Sequence, residues 1–157
     1  VISYTAVIDA CAKAGKAEKA EHWLARANEA GIAVNVISYT AVIDACAKAG
    51  KVEKAEHWLA RASEAGIALD VIPYNAIIHA CAKAGKAEKA ERWLARASEA
   101  GIAVNVISYT AVIDACAKAG KVRKAEHWLA RASEAGIAVN VISYTAVIDA
   151  CAKAGKA

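Results

Sequence analysis

The chain has 157 residues, 58% of them hydrophobic and 23% charged, with a formal net charge of +4. That length suits one domain, and no stretch reaches the roughly 18 uncharged apolar residues of a membrane-spanning helix. The mild basic excess permits a nucleic-acid partner without demanding one.

The segment VISYTAVIDACAKAGK, Val1 to Lys16, returns almost unchanged at Val36, Val71, Val106 and Val141. A period of this length marks a stacked array, because a unit so small leaves too much surface exposed to hold a core alone. One domain, 1–157, is therefore expected, with repeats 1–35, 36–70, 71–105 and 106–140 and a partial repeat 141–157.

Taking the first repeat in order, Tyr4, Val7, Ile8 and Cys11 fall at i, i+3, i+4 and i+7, one apolar face of a helix. This predicts helix A over about 4–14. Ser3 is placed to cap its start and Gly15 to end it in a left-handed conformation. Asp9 and Lys13 form a favourable i,i+4 pair on another face. Ala20, Trp23, Leu24 and Ala27 repeat the apolar spacing and predict helix B over about 17–30. Glu18 and Glu21 lie near its positive end, Arg26 near its negative end, and Gly31 stops it. Residues 32–35 then lead into the next helix A.

Connections this short force antiparallel neighbours. Four A–B hairpins and a lone final helix A make nine helices. The fold class is all-α, a right-handed superhelical α-solenoid with helix A on one wall and helix B on the other. The third repeat differs most: Pro73, Asn75, Ile77, His79 and Arg92 stand where the fourth has Ser108, Thr110, Val112, Asp114 and His127. Pro73 is acceptable at a helix start, where an N–H is not needed. The two end helices carry apolar faces without polar caps, which favours weak self-association by a two-fold contact.

Chemistry that depends on a unique site is disfavoured, since nearly every polar group recurs at the same spacing. Cys11, Cys46, Cys81, Cys116 and Cys151 occur once per repeat, not in metal-binding or redox spacing, and are expected as buried reduced thiols. His22, His57 and His127 read as surface residues beside a core Trp, and His79 as a surface substitution. No enzyme activity, metal or cofactor is expected.

The informative variation lies at two short polar positions. The fifth residue of each repeat is Thr5, Thr40, Asn75, Thr110 or Thr145; the last is Asn35, Asp70, Asn105 or Asn140. Helix capping is one reading of the last-residue set. It does not explain why these sites vary while the helix faces stay nearly fixed.

The V-I-S-Y-T/N opening, the C-A-K-A-G-K turn, the closing G-I-x-x-N/D and the 35-residue period together resemble the pentatricopeptide repeat (PPR) family, over the whole chain. Ala33 and Val34 depart from it, standing where the family commonly has a basic residue and Pro. The resemblance implies single-stranded RNA as partner, one base per repeat, along the helix A wall. The fifth and last residues would read the base edge. Ile2, Ile37, Ile72, Ile107 and Ile142 would sandwich bases, and Lys13, Lys48, Lys83, Lys118 and Lys153 would sit near phosphates.

Residue chemistry agrees. Ionised Asp only accepts, which suits the donors of guanine, whereas Asn both donates and accepts. The family pairing implies A from Thr5/Asn35, G from Thr40/Asp70, C or U from Asn75/Asn105 and A from Thr110/Asn140. The implied target is 5′-A-G-(C/U)-A-3′, with Thr145 left without a partner. Four bases at about 1–3 kcal/mol of stacking each imply micromolar or weaker, salt-sensitive binding. The near-identity of the copies points to a consensus or designed array, so a helical scaffold without a ligand is the alternative, with a peptide groove third. Natural family members are mostly organellar; this chain opens inside a repeat and is expected to carry no targeting peptide.

Overall fold

The computed structural model describes residues 4–32, 34–138 and 141–155. Among them the regular structure is nine α-helices and no strand: α1 (Tyr4–Lys13), α2 (Ala17–Glu29), α3 (Val36–Lys48), α4 (Val52–Glu64), α5 (Val71–Lys83), α6 (Ala87–Glu99), α7 (Val106–Lys118), α8 (Val122–Glu134) and α9 (Val141–Gly155). The chain forms two compact halves, Val1–Ala80 and Cys81–Ala157.

In the N-terminal half α1 packs on α2 and α3, α2 on α3, and α3 on α4. The apolar stripe explains the packing: Tyr39, Val42, Ile43 and Cys46 of α3 are all buried, as are Val52, Ala55, Trp58, Leu59 and Ala62 of α4. Burying a side chain such as Ile43 or Leu59 contributes about 1.5–3 kcal/mol. The C-terminal half repeats the plan, with α6 and α8 on α7, and α9 on α7 and α8. The helices of one repeat are keyed by a tilted aromatic pair, Tyr39 with Trp58 at 6.4 Å and Tyr109 with Trp128 at 6.3 Å between ring centres.

Helix A ends as the glycine demands. Gly15 adopts φ 75°, a conformation that costs any other L-residue strain. It lets Lys16 N–H reach Cys11 O at 2.9 Å and Gly15 N–H reach Ala12 O at 3.1 Å. These two bonds form a Schellman motif, which satisfies carbonyls otherwise left over at the helix end.

The expected start of helix A is corrected. Ser3 itself lies outside the described residues. At the equivalent positions Ser38 and Ser108 are fully buried within the first helical turn. The cap is the preceding repeat's last residue: Asn35 Oδ1 accepts from Ser38 N–H at 3.2 Å, and Asn105 Oδ1 from Ser108 N–H at 3.2 Å. Both residue types cap well. Packing decides between them, because a start at Val36 extends the helix three residues further while the small serine fits against the core.

The expectation for the cysteines is also corrected in part. Cys46, Cys81 and Cys116 are buried, but Cys11 is half-buried and Cys151 exposed. The face of α9 that carries Tyr144, Ile148 and Cys151 corresponds to the faces of α3 and α7 covered by α4 and α8. On α9 Tyr144 is 43% and Ile148 64% exposed.

Successive repeats are tied by polar contacts from the residue just before one B helix to the B helix of the preceding repeat. Lys51 Nζ donates to Glu18 Oε1 at 2.7 Å, and Lys121 Nζ to Glu88 Oε1 at 2.9 Å. The lysine hydrogen bond holds Glu18 and Glu88 below the usual carboxylate range and raises Lys51 and Lys121 in return. Solvent screens these pairs, so they add little stability.

Candidate nucleic-acid interface

At 3.6 residues per turn, Ile37, Thr40, Ala41, Asp44 and Lys48 fall within an arc of about 100° on α3. The core stripe of Tyr39, Val42, Ile43 and Cys46 is centred on the opposite side. Helix A therefore has two working faces, one packed inside and one turned away from the core. Exposure follows that division. Ile37 is 60%, Ile72 56% and Ile107 61% exposed, unusual for large aliphatic groups on a helix whose other face is dry. Thr5, Thr40, Asn75 and Thr110 are half-buried and Thr145 exposed, while Lys13, Lys48, Lys83, Lys118 and Lys153 all stand exposed at the last turn of their helices.

Two clefts open on this face. One, of about 510 Å³ between α1 and α3, is lined by Lys13, Asp44 and Lys48 over a floor of Ala12, Gly15, Ala41 and Ala45. The other, of about 540 Å³ between α7 and α9, has Lys118, Asp149 and Lys153 in the same register. The aspartate at the ninth position is thus part of the face, which the i,i+4 pairing of Asp9 and Lys13 does not reveal. Its signal in the sequence is that it follows the exposed isoleucine by seven residues. Asp44 Oδ2 pairs with Lys48 Nζ at 3.0 Å. Burial pushes the Asp114 carboxyl up, and Lys118 pulls it partly back.

The last residue of a repeat does two things at once. As a cap, Asn35 commits Oδ1 to Ser38 N–H, which leaves its amide nitrogen as a donor. Asn105 is held more firmly, since Ser108 Oγ also accepts from Asn105 N–H at 3.3 Å, completing a capping box. Asp70 commits Oδ1 to Ile72 N–H at 3.0 Å, which leaves Oδ2 as an acceptor. Capping therefore holds these side chains at the start of helix A, two residues before the exposed isoleucine. Ile2, Asn140 and the side chain of Ile142 lie outside the described residues.

The histidines of the B helices lie elsewhere. His22, His57 and His127 are exposed on the B helices and meet the adjacent Trp edge-on at 5.2–5.4 Å. Each Trp is also approached by an Arg one turn on, closest at Arg96 over Trp93, 4.7 Å. Among the described residues no three His, Cys, Asp or Glu side chains gather as a metal site, and no helix is long and apolar enough to cross a membrane.

The pentatricopeptide repeat domain matches residues 58–118, the PPR repeat family residues 1–48 and 104–153, and the PPR repeat residues 37–67. The chain belongs to the pentatricopeptide repeat family. Among solved structures it is similar to the maize pentatricopeptide repeat protein PPR10, with a TM-score of 0.83 and 21% identity, over 97% of this chain and 22% of that one. For PPR10 in complex with an 18-nt psaJ RNA element the TM-score is 0.74 and the identity 25%, over 92% of this chain and 21% of that one. For the PPR domain of Arabidopsis thaliana protein-only RNase P 1 in complex with tRNA the values are 0.85 and 14%, over 98% and 83%. The chain thus spans about a fifth of the length of PPR10. No curated protein matches it.

Proposed function

We propose that the chain binds single-stranded RNA, seats one base per repeat against helix A, and prefers 5′-A-G-(C/U)-A-3′. The observation that carries this reading is the stripe opposite the core, in which an exposed isoleucine, a short polar side chain and an exposed lysine share one face of α3. An apolar surface suits a base face, a hydroxyl or amide suits its edge, and an ammonium suits the phosphate. The RNA-bound PPR10 and the tRNA-bound PPR domain support the same class of ligand. Polar groups copied in every repeat serve repeated contacts better than a single catalytic event, so the chain is read as a binder.

The second base is the most informative. The acceptor left on Asp70 suits the N1–H and N2–H donors of guanine, and the donor left on Asn35 suits adenine. The test is Asp70→Asn, titrated against labelled oligonucleotides that differ only at the second base. Preference moves from G toward A; an unchanged preference sinks the assignment.

A second reading, a self-associating helical module, draws on the apolar face of α9, where Val141 is 75% and Ile148 64% exposed. Sedimentation across a concentration series separates it from the first: association that RNA does not alter favours the module.

A further inference from the structure

We infer that the aspartate at the ninth position of a repeat, Asp44 and Asp149 in the two clefts, accepts a hydrogen bond from the ribose 2′-hydroxyl and so selects RNA over DNA. The inference rests on the RNA-binding reading above. Its first support is order along the helix. Thr40, Asp44 and Lys48 follow at intervals of four residues, about 6 Å of rise each. With the base at Thr40 and the phosphate at Lys48, the sugar between them falls beside Asp44.

Its second support is chemistry. Each cleft brackets one carboxylate between two lysines over a floor of Ala and Gly. An ionised carboxylate offers acceptors only. A phosphodiester has no donor to give it and repels it, so charge alone argues against an aspartate here. The 2′-hydroxyl is the donor that an RNA backbone offers and a DNA backbone lacks. Lys48 Nζ lies 3.0 Å from Asp44 Oδ2 and draws one carboxylate oxygen toward the lysine, which leaves Oδ1 as an acceptor. Position nine is also not a comfortable place for a carboxylate, since Asp9 Oδ1 and Asp114 Oδ1 are buried without a protein hydrogen-bond partner. The same position in the third repeat is His79, exposed on α5, and a neutral imidazole likewise presents an acceptor nitrogen.

The competing account makes Asp44 merely the i,i+4 partner that neutralises Lys48. The test uses the full chain and two RNA oligonucleotides containing AGCA, one all-ribose and one with a single 2′-deoxy substitution at the G. The unmodified protein loses about tenfold in affinity on that substitution, the worth of one hydrogen bond. Asp44→Ala binds the all-ribose strand about tenfold more weakly than the unmodified protein and no longer tells the two strands apart. Asp44→Asn, which keeps an acceptor, recovers part of the preference. If Asp44→Ala keeps the ribose preference, or tightens both strands equally, the inference is overturned and Asp44 is only an ion-pair partner. RNA binding with base preference but no ribose preference overturns this inference alone, whereas no RNA binding at low salt overturns the proposed function with it.

Discussion

The indole N–H of Trp58 donates to Glu21 Oε1 at 2.8 Å, joining residues 37 positions apart in successive repeats, and Trp128 does the same to Glu91 at 2.7 Å. The indole of Trp58 is 5% exposed. The glutamate also faces a lysine of the next repeat, Lys54 at 3.4 Å or Lys124 at 3.2 Å. The B helices are thus linked by a charged acceptor that satisfies a buried donor, a contact that couples one repeat to the next.

Glu21→Ala leaves that donor without its partner and should destabilise the chain by about 1.5–3 kcal/mol. Trp58→Phe removes the donor along with some packing. In the double variant the Glu21 effect should shrink by about 1 kcal/mol or more, read by denaturant unfolding in a double-mutant cycle. Simple additivity would mean the bond contributes nothing.

Asn105→Ala removes the cap of α7 and should cost about 1 kcal/mol, whereas Asn105→Asp retains an acceptor and costs much less. Thermal unfolding followed by circular dichroism distinguishes them. Equal losses in the two variants would contradict capping.

Ile72→Ala should separate binding from stability. Ile72 is 56% exposed, so its truncation should change folding stability by less than about 0.5 kcal/mol. Affinity for the RNA target should fall by about 1 kcal/mol, the low end of a stacking contact. Calorimetric binding and a melt on the same sample supply both numbers; a large loss of stability would place Ile72 in the core instead.

The thiols should divide by place. Cys151 is exposed while Cys46, Cys81 and Cys116 are buried. Alkylation of the folded chain should therefore label Cys151 first and those three only on unfolding. Burial, helped by nearby Glu21, pushes Cys46 from 9.0 up to about 12, and burial with Glu91 pushes Cys116 up to about 11. The folded thiols keep their protons where the unfolded ones lose them. Stability from this source is complete below about pH 9 and declines as the pH climbs toward 11–12. Replacing Cys46 by Ala should flatten that alkaline decline; an unchanged slope would remove Cys46 as its cause.

Much of this architecture is legible in the residues alone. The spacing of Tyr4, Val7, Ile8 and Cys11 specifies a helix and its dry face, since the periodicity of a helix is local and side chains three and four apart must lie together. Gly15 and Gly31 mark helix ends for an equally local reason. The off-core stripe of isoleucine, threonine and lysine follows from the same arithmetic.

Ser3 and Asn35 are both good caps in the abstract, and only the packing of Ser38 and Ser108 against the core assigned the role to the asparagine. Which glutamate meets Trp58 was equally open, since Glu18, Glu21 and Glu29 recur in near-identical surroundings and the answer lies in the lateral offset between neighbouring hairpins. That five identical cysteine positions split into buried, half-buried and exposed depends on which helices cover each one. The linear chain thus determined each hairpin, because helical periodicity acts over a few residues. Within each half the tertiary structure decided the contacts between hairpins, because near-identical repeats offer the same partners many times and only their stacking geometry chooses among them.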